Sequence, residues 1–226
     1  CAAEGGAVLS NEEIAKIVAL DPARFIGFAT VDPNRPDALD ILRHAFGTLK
    51  LRGLKLHPAK QQFYPNDPKL FPIYELCLSY NVPITFHCGM SWQPNTFLKY
   101  SHPELFEEVA VRYPQLRINL AHFGFPWVLE TAAIILKYPN VYADTACCYM
   151  DCPEQFFEQL FFKLMGPLWV EHNLADKILF GSNNPRFRPA RIKRGLEYQP
   201  FSPETLAKIL GGNAVRFLGL EVENHG

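Results

Sequence analysis

The sequence lacks several patterns that would assign it at once to a functional class. No apolar run approaches the ~20 residues that a membrane-spanning helix needs. The 22 Lys and Arg residues are balanced by 23 Asp and Glu residues, so the formal net charge is -1 and no basic surplus exists to neutralise nucleic-acid phosphates. No glycine-rich phosphate-binding motif follows a predicted strand. These absences argue against a membrane protein, a nucleic-acid-binding protein and a nucleotide-binding enzyme.

Cysteines are sparse and irregularly spaced. The chain has 6 Cys in 226 residues, without a CxxC pair, which is unlike a secreted disulfide scaffold. We therefore predict free thiols in a reducing compartment, the cytoplasm. Cys147, Cys148 and Cys152 lie close together after a predicted strand. They could form a thiol metal site, but their spacing favours small residues that line a strand end.

Strand-like and helix-like segments alternate along the whole chain. Its length and its hydrophobic content of 48% suit a single domain, residues 1–226. Six strands are predicted, at residues 24–31, 51–56, 83–87, 117–122, 140–145 and 177–183. Alternation with helices implies parallel pairing with right-handed crossovers. Two architectures fit: a six-stranded doubly wound sheet, and a TIM (β/α)8 barrel that lacks its first two βα units.

Three of the predicted strands end on residues with acid–base or metal-binding chemistry. These residues are His87, His122 and Asn183. In an enzyme barrel the reactive groups gather at the carboxyl ends of the strands. Strand alternation places His87 on the face of Thr85, His122 on that of Leu120, and Asn183 on that of Leu179 and Gly181. Lys55 and His57 share a face in the same way, and both are candidates for binding the substrate.

Three further charged residues have alternative interpretations. Lys55 lies in a Leu-rich strand, where a lysine is costly unless it is paired, so it forms either a structural ion pair or a contact with a substrate carboxylate. Asp144 ends a strand and either supports His122 from behind or faces solvent. Arg186 begins a basic run that extends to Arg194 and whose usual interpretation is a solvated face. Arg186 itself is close enough to the strand ends to bind an acidic substrate.

Six segments occur in an order that resembles a known family. They are GLKLHP (Gly53–Pro58), FHCG (Phe86–Gly89), AHFG (Ala121–Gly124), VYAD (Val141–Asp144), FGSNNP (Phe180–Pro185) and KILGGNAVR (Lys208–Arg216). Together they resemble the amidohydrolase-related branch of the amidohydrolase superfamily. Each short segment is weak evidence alone, but the ordered set covers nearly the whole chain.

The resemblance implies a (β/α)8 barrel that holds one divalent metal, zinc or manganese. The ligands in such barrels are a His-x-His pair on the first strand, a His on the fifth and an Asp on the eighth, while a sixth-strand His acts in acid–base chemistry. By this match His87 is a metal ligand, His122 is catalytic, and Asn183 replaces the aspartate that binds metal and acts as a base. This sequence contains no His-x-His pair. Since an amide is uncharged and is no base near pH 7, we expect no tightly bound metal in this chain.

The expected parent activity is metal-dependent hydrolysis of a C–N or C–O bond in a small carboxylated substrate. We expect this activity to be impaired here by Asn183, which is either a natural or an engineered replacement, and by the missing ligand pair. The alternatives are non-oxidative decarboxylation of an aromatic or unsaturated acid, and a catalytically inactive binding protein. We also expect a homo-oligomer, and an intact protein with roughly sixty further amino-terminal residues, two βα units of ~30 each.

Overall fold

The strands form one parallel sheet in chain order. The computed structural model describes residues 9–146, 152–166 and 168–220, and this part of the chain contains six strands. They are β1 (Ala29–Thr30), β2 (Leu54–Leu56), β3 (Ile84–His87), β4 (Ile118–Ala121), β5 (Val141–Asp144) and β6 (Ile178–Leu179). Each strand pairs with the next one along the chain. A doubly wound sheet would reverse its strand order at a switch point, so the sequential order is that of a barrel.

Helices follow the strands, as the alternation predicted. They are α1 (Asn11–Leu20), α2 (Ala38–Gly47), α3 (Pro58–Gln61), α4 (Phe71–Ser79), α5 (Glu107–Arg112), α6 (Val128–Lys137), α7 (Pro153–Phe157), α8 (Pro189–Glu197), α9 (Pro203–Ala207) and α10 (Asn213–Leu218). Short 3₁₀ turns cover Pro68–Leu70, Leu98–Tyr100, Pro103–Phe106 and His122–Gly124, and π-helical turns cover Glu158–Lys163, Val170–Leu174 and Lys208–Gly212. Within the described ranges no helix is both long and apolar enough to cross a membrane.

The first helix is capped and joined to the edge of the sheet by short polar side chains. The Ser10 hydroxyl accepts the Glu13 N–H, and the Glu13 carboxylate accepts the Ser10 N–H, which completes a capping box. The buried Asn11 side chain donates to the Thr30 carbonyl at 3.1 Å and accepts the Thr30 N–H at 2.9 Å. Asn11 therefore hydrogen-bonds to backbone groups of Thr30 at the edge of β1, which has only β2 as a strand neighbour in the described residues.

The two faces of the sheet differ in polarity. Apolar residues from the strands are fully buried on the face that packs against the helices, where Phe86 meets Tyr74 of α4 and Phe106 edge-on or tilted. The opposite face carries Lys55, Thr85, Asn119 and Tyr142, which are aligned by the strand register: Lys55 beside Thr85, Thr85 beside Asn119, and Asn119 beside Tyr142. This polar inner face leads to the carboxyl ends of the strands.

The strands are shorter than predicted, and their hydrogen bonds explain why. The predicted strand 24–31 pairs only at Ala29–Thr30, and the one at 177–183 pairs only at Ile178–Leu179. The Phe180 N–H bonds to the Ile209 carbonyl instead of the neighbouring strand. A backbone group that bonds outside the sheet ends the ladder.

The spacing of Ser101 and Glu104 predicts a second capping box, and this prediction is wrong. Ser101 is fully buried, and its hydroxyl donates to the Gly89 carbonyl at 2.8 Å. The Glu104 N–H is instead capped by the His102 ring. Ser101 therefore anchors the loop that follows β3.

The cysteine cluster is only partly visible. Cys147 and Cys148 lie outside the described residues. Cys152 is described, and its thiol donates to the Glu154 carboxylate at 3.1 Å.

Candidate active site

A cavity of about 490 Å³ opens where the strands end. Its lining residues are Lys55, His57, His87, Met90, Ser91, Trp92, Gln93, His122, Asn183, Asn184, Pro185 and Arg186. Six of these are residues that the sequence proposed for catalysis, metal binding or substrate binding. Asp144, the one other site residue proposed from the sequence, does not line the cavity. It lies behind the cavity and accepts a hydrogen bond from the backbone N–H of His122.

Two buried histidines form the centre of the site. His122 Nε2 lies 3.1 Å from His87 Nδ1, and His87 Nε2 lies 3.2 Å from the Met90 carbonyl. At the other end of the pair, His122 Nδ1 makes a short hydrogen bond with the Ala146 carbonyl. The chain of contacts thus runs from one backbone carbonyl to another through two imidazoles.

This arrangement fixes how many protons the pair needs. A carbonyl oxygen only accepts, so the two outer hydrogen bonds each require an N–H, and the central bond requires a third. Two neutral imidazoles supply only two. All three bonds form together only when the pair carries one extra proton. Burial lowers the pKa of both histidines, that of His87 well below its ordinary value, and the Asp144 carboxylate and the Ala146 carbonyl offset this only in part at His122. Burial therefore opposes the extra proton that the three hydrogen bonds call for.

The position of His122 results from a turn and not from strand alternation. The prediction placed His122 on the face of Leu120, but Leu120 is fully buried on the helix side in register with Phe86. Directly after β4 the backbone turns left-handed at His122 (φ 64), Phe123 (φ 48) and Gly124 (φ 61). This turn brings the ring to the inner side of the sheet.

Asp144 holds that turn in place. One carboxylate oxygen accepts the His122 backbone N–H at 2.8 Å and the Ala146 N–H at 2.9 Å. The other accepts from the Asn119 amide at 2.6 Å. Asp144 therefore acts on the backbone of His122, which places the ring, and it does not bond to the ring itself. The supporting role proposed from sequence stays a prediction, but the geometry provides a means for it.

His57 packs against the pair as a neutral ring. Its imidazole stacks on His87 with centroids 3.8 Å apart and planes 9° apart. His57 Nδ1 accepts the Lys60 N–H, so Nε2 carries the proton of the neutral ring. Burial, followed by the charge of Lys55, lowers the pKa of His57 to about 3. The Gln61 amide accepts the His57 N–H and donates to the Val31 carbonyl, which joins this segment to β1.

Lys55 brings a cation into the cavity without a matching partner. Burial lowers the pKa of Lys55 to about 8, and the charge of Asp144 offsets this only in part. Its ammonium makes no hydrogen bond or ion pair with a residue in the described part of the chain. Of its two predicted roles, the geometry favours binding an anionic ligand over a structural ion pair.

The last strand contributes its residues through a loop. The predicted alternation of Leu179, Gly181 and Asn183 along one strand is wrong, since β6 ends at Leu179. Asn183 is exposed and left-handed (φ 58), a conformation that asparagine tolerates better than most residues. It still lines the same cavity as His122.

Trp92 is a lining residue that the sequence interpretation missed. The Arg186 guanidinium lies 5.5 Å from the centroid of the Trp92 ring, a cation–π contact between the loops after β3 and β6. The sequence signal that could have identified it is a tryptophan in an otherwise polar loop, five residues after His87.

The described residues do not fit a resident divalent metal. Zinc usually takes three or four protein ligands. Within the ranges 9–146, 152–166 and 168–220, no three His, Cys, Asp or Glu side chains are grouped to hold an ion. Both nitrogens of His87 already have partners, and Asn183 contributes only an uncharged amide. We therefore assign no chemical step to a metal.

Comparison with known proteins identifies the family. The model of the amidohydrolase family Amidohydro_2 matches residues 3–220. The chain belongs to this amidohydrolase family. The resemblance found in the ordered sequence segments is thereby confirmed.

A curated relative and several solved structures are similar to this amidohydrolase. The 2-amino-3-carboxymuconate-6-semialdehyde decarboxylase of Dictyostelium discoideum is 26% identical over 247 residues, which cover 93% of this chain and 66% of that protein. An uncharacterized TIM-barrel protein from Bordetella bronchiseptica superposes with a TM-score of 0.81 at 23% identity, covering 96% of this chain and 74% of that chain. The barrel fold predicted from sequence is confirmed. The chain spans just under two thirds of the length of its curated relative.

A third comparison concerns a structure with a metal. A dihydroxybenzoic acid decarboxylase from Polaromonas with bound manganese and an inhibitor superposes with a TM-score of 0.69 at 20% identity, covering 95% of this chain and 75% of that chain. Similarity at this level shows the fold. Several of the proteins that this chain is similar to are named as decarboxylases.

Proposed function

We propose that this amidohydrolase catalyses the non-oxidative decarboxylation of an aromatic or otherwise conjugated carboxylic acid. The observation that carries the proposal is the charge of the cavity. Its described lining includes Lys55, Arg186 and three histidines but no carboxylate. Hydrolysis calls for a base that takes a proton from water, and a carboxylate suits that role. Decarboxylation instead needs a site that binds an anion and delivers a proton to carbon.

The residues can be assigned to the steps of this reaction. The C–C bond to the carboxylate breaks, CO₂ leaves, and the electron pair stays on the conjugated carbon skeleton. Lys55 stabilises the negative charge as it spreads onto an oxygen of that skeleton, where a cation lowers the barrier more than it would at the leaving carboxylate. A proton on the His122 ring then passes to that carbon and forms the new C–H bond. Solvent restores that proton to the pair.

The similar proteins support this choice over hydrolysis. The curated relative and several of the solved structures are named as decarboxylases of unsaturated or aromatic acids. Manganese is present in the structures of some of them. The test therefore includes added manganese, although the described residues provide no complete ligand set.

The experiment measures CO₂ release from the acids that these relatives are named for: 2-amino-3-carboxymuconate-6-semialdehyde, 5-carboxyvanillate and 2,6-dihydroxybenzoate. Reactions are run in D₂O, with and without manganese, and the product is analysed for one deuterium at the carbon that had carried the carboxylate. We expect CO₂ and deuterated product from at least one acid. His122→Asn should lower the rate of CO₂ release at least ~100-fold, which is the usual contribution of a general acid.

A matched control is His44→Asn, because His44 is an exposed histidine of α2 outside the cavity. This variant should keep the wild-type rate. Hydrolysis of carboxylated lactones or amides without CO₂ release would support the hydrolase alternative instead. Equal rates for His122→Asn and wild type would remove His122 from the mechanism.

A further inference from the structure

A second cavity lies next to the first and is strongly cationic. Its volume is about 780 Å³. The charged residues that line it are Arg186, Arg188, Arg191, Lys193, Arg194 and Glu197. The one carboxylate is already bonded to Lys193 one helical turn away. We call this space the cationic vestibule.

The charge density of the vestibule contrasts with the rest of the chain. The whole sequence is nearly neutral, with 22 Lys and Arg against 23 Asp and Glu. Residues 186–194 nevertheless contain five cations and no acidic residue. Like charges three or four positions apart on a helix repel one another. A solvated face would disperse such charges, whereas here they surround one concave space.

Packing directs these cations outward together. Helix α8 buries Ile192, Gly195 and Leu196 against the body of the protein. A Cβ at Gly195 would come within 2.6 Å of Pro153, so this face of the helix is in close contact with α7. The exposed face that remains carries Arg191 and Arg194 and forms a wall of the vestibule, and the Glu154 carboxylate of α7 interacts electrostatically with both arginines.

The vestibule adjoins the active-site cavity at one shared residue. Arg186 lines both spaces, and its contact with Trp92 places the guanidinium at the boundary between them. Arg186 therefore contributes its charge to both spaces, and Lys55 lines the active-site cavity with it. Clefts lined by one sign of charge raise the local concentration of an oppositely charged ligand.

We infer that the vestibule binds a second anionic group of the substrate, so that the substrate is a dicarboxylate. This inference deepens the proposed function and rests on it. One end of the substrate reacts beside Lys55 and His122, while its second carboxylate lies between Arg188 and Arg194. A monocarboxylate of the same length would fill the active-site cavity but leave the vestibule empty.

The test is a binding measurement with two unreactive probes of matched shape. trans,trans-Muconate and sorbate share a six-carbon diene, but muconate has a carboxylate where sorbate has a methyl group. We expect calorimetry on the full chain to show muconate binding at least ~10-fold more tightly than sorbate. The difference should shrink when NaCl is raised from 50 to 500 mM, since salt screens exposed charges.

The variant Arg188→Gln/Arg194→Gln should bring muconate down to the affinity of sorbate and leave sorbate unchanged. The control Lys16→Gln/Arg24→Gln removes the same charge from exposed residues that line neither cavity. It should keep the preference for muconate. If the vestibule variant keeps that preference, or if wild type binds the two probes equally or binds neither, the inference is wrong.

Failure of the proposed function gives a different result. If no acid releases CO₂ but the muconate preference depends on Arg188 and Arg194, the inference about the vestibule is supported and the proposed decarboxylation is wrong. If CO₂ is released and the preference is independent of these two arginines, the proposed decarboxylation is supported and the inference about the vestibule is wrong.

Discussion

At the scale of single residues, Lys55 connects stability with binding. Its pKa of about 8 lies below the ordinary value of 10.5, so unfolding takes up a proton between these two pH values. Burial of the cation therefore costs stability below pH 8, and this cost disappears as the pH rises through 10.5. The same cation is the group that an anionic ligand would neutralise.

The first prediction concerns Lys55→Met. We expect it to raise the unfolding free energy by about 2 kcal/mol at pH 7, because an unpaired buried charge is replaced by an apolar chain. We expect muconate affinity to fall at least ~10-fold. In wild type, affinity should also fall as the pH rises through about 8, where Lys55 loses its charge. Denaturant unfolding and calorimetry from pH 6.5 to 9.5 measure both effects.

Lys16→Met is the control, since Lys16 is exposed on α1 and lines neither cavity. It should leave both stability and muconate affinity unchanged. If Lys55→Met destabilises the protein, Lys55 has a partner that stabilises it, and its role as a free anion site is wrong.

The second prediction concerns Asn183. Asn183→Asp keeps the left-handed turn, because aspartate tolerates that conformation about as well as asparagine does. The new carboxylate would face Lys55 and Arg186 across the cavity and occupy them. We expect muconate affinity to fall several-fold and manganese affinity to become measurable, since carboxylates are good ligands for manganese. Electron paramagnetic resonance titration with manganese and calorimetry with muconate test this.

Asn184→Asp provides the comparison, as Asn184 is the adjacent exposed asparagine of the same cavity wall. If both variants gain manganese affinity equally, position 183 has no special place in a metal site. If neither variant gains manganese affinity, a carboxylate at position 183 does not act as the metal-binding aspartate of the family does.

At the scale of elements, sequence patterns predicted where reactive residues would gather but not how the chain places them. The ends of β3 and β4 and the residues His87 and His122 followed from apolar runs and the family resemblance. The left-handed turn after β4 did not follow, since a side-chain pattern does not encode φ. The end of β6 depends on a hydrogen bond from the Phe180 N–H to the Ile209 carbonyl, 29 positions away, which no local pattern contains. The vestibule was missed because a basic run is usually solvent-exposed.

The third prediction concerns the turn after β4. Gly124 has φ 61, and a Cβ there would lie 2.0 Å from the Thr131 hydroxyl on α6. Gly124→Ala should therefore lower the unfolding free energy by about 2 to 4 kcal/mol through backbone strain and overpacking. It should also lower any decarboxylase activity, because His122 lies in the same turn. Thermal unfolding and the CO₂ assay measure the two effects.

Gly211→Ala is the matched control, since a Cβ at Gly211 meets nothing within 4 Å and the residue is helical. It should leave stability unchanged or raise it by up to about 1 kcal/mol, as alanine favours helix. Equal effects of the two substitutions would show that the turn has no special requirement for glycine.

At the scale of the whole molecule, the described sheet is better paired at its centre than at its ends. The strands run in order from β1 to β6, and in the described residues these two strands have one strand neighbour each. The central strands β3 and β4 pair on both sides and carry side chains with no exposed surface, such as Phe86 and Leu120. The site lies at the carboxyl ends of these central strands, because His87 is the last residue of β3 and His122 directly follows β4.

The last prediction uses hydrogen exchange to test this gradient. In the 226-residue chain, amides of β3 and β4 should exchange only by global unfolding, whereas those of β1 and β6 should exchange by local opening, on the order of 100-fold faster. The edge of β1 depends on two hydrogen bonds from Asn11, so Asn11→Ala should accelerate exchange at Thr30 further and leave Leu120 unaffected. Mass spectrometry of peptic fragments, or NMR, resolves these segments. Equal protection across all six strands would contradict this prediction, because β1 and β6 have only one strand neighbour each in the described residues.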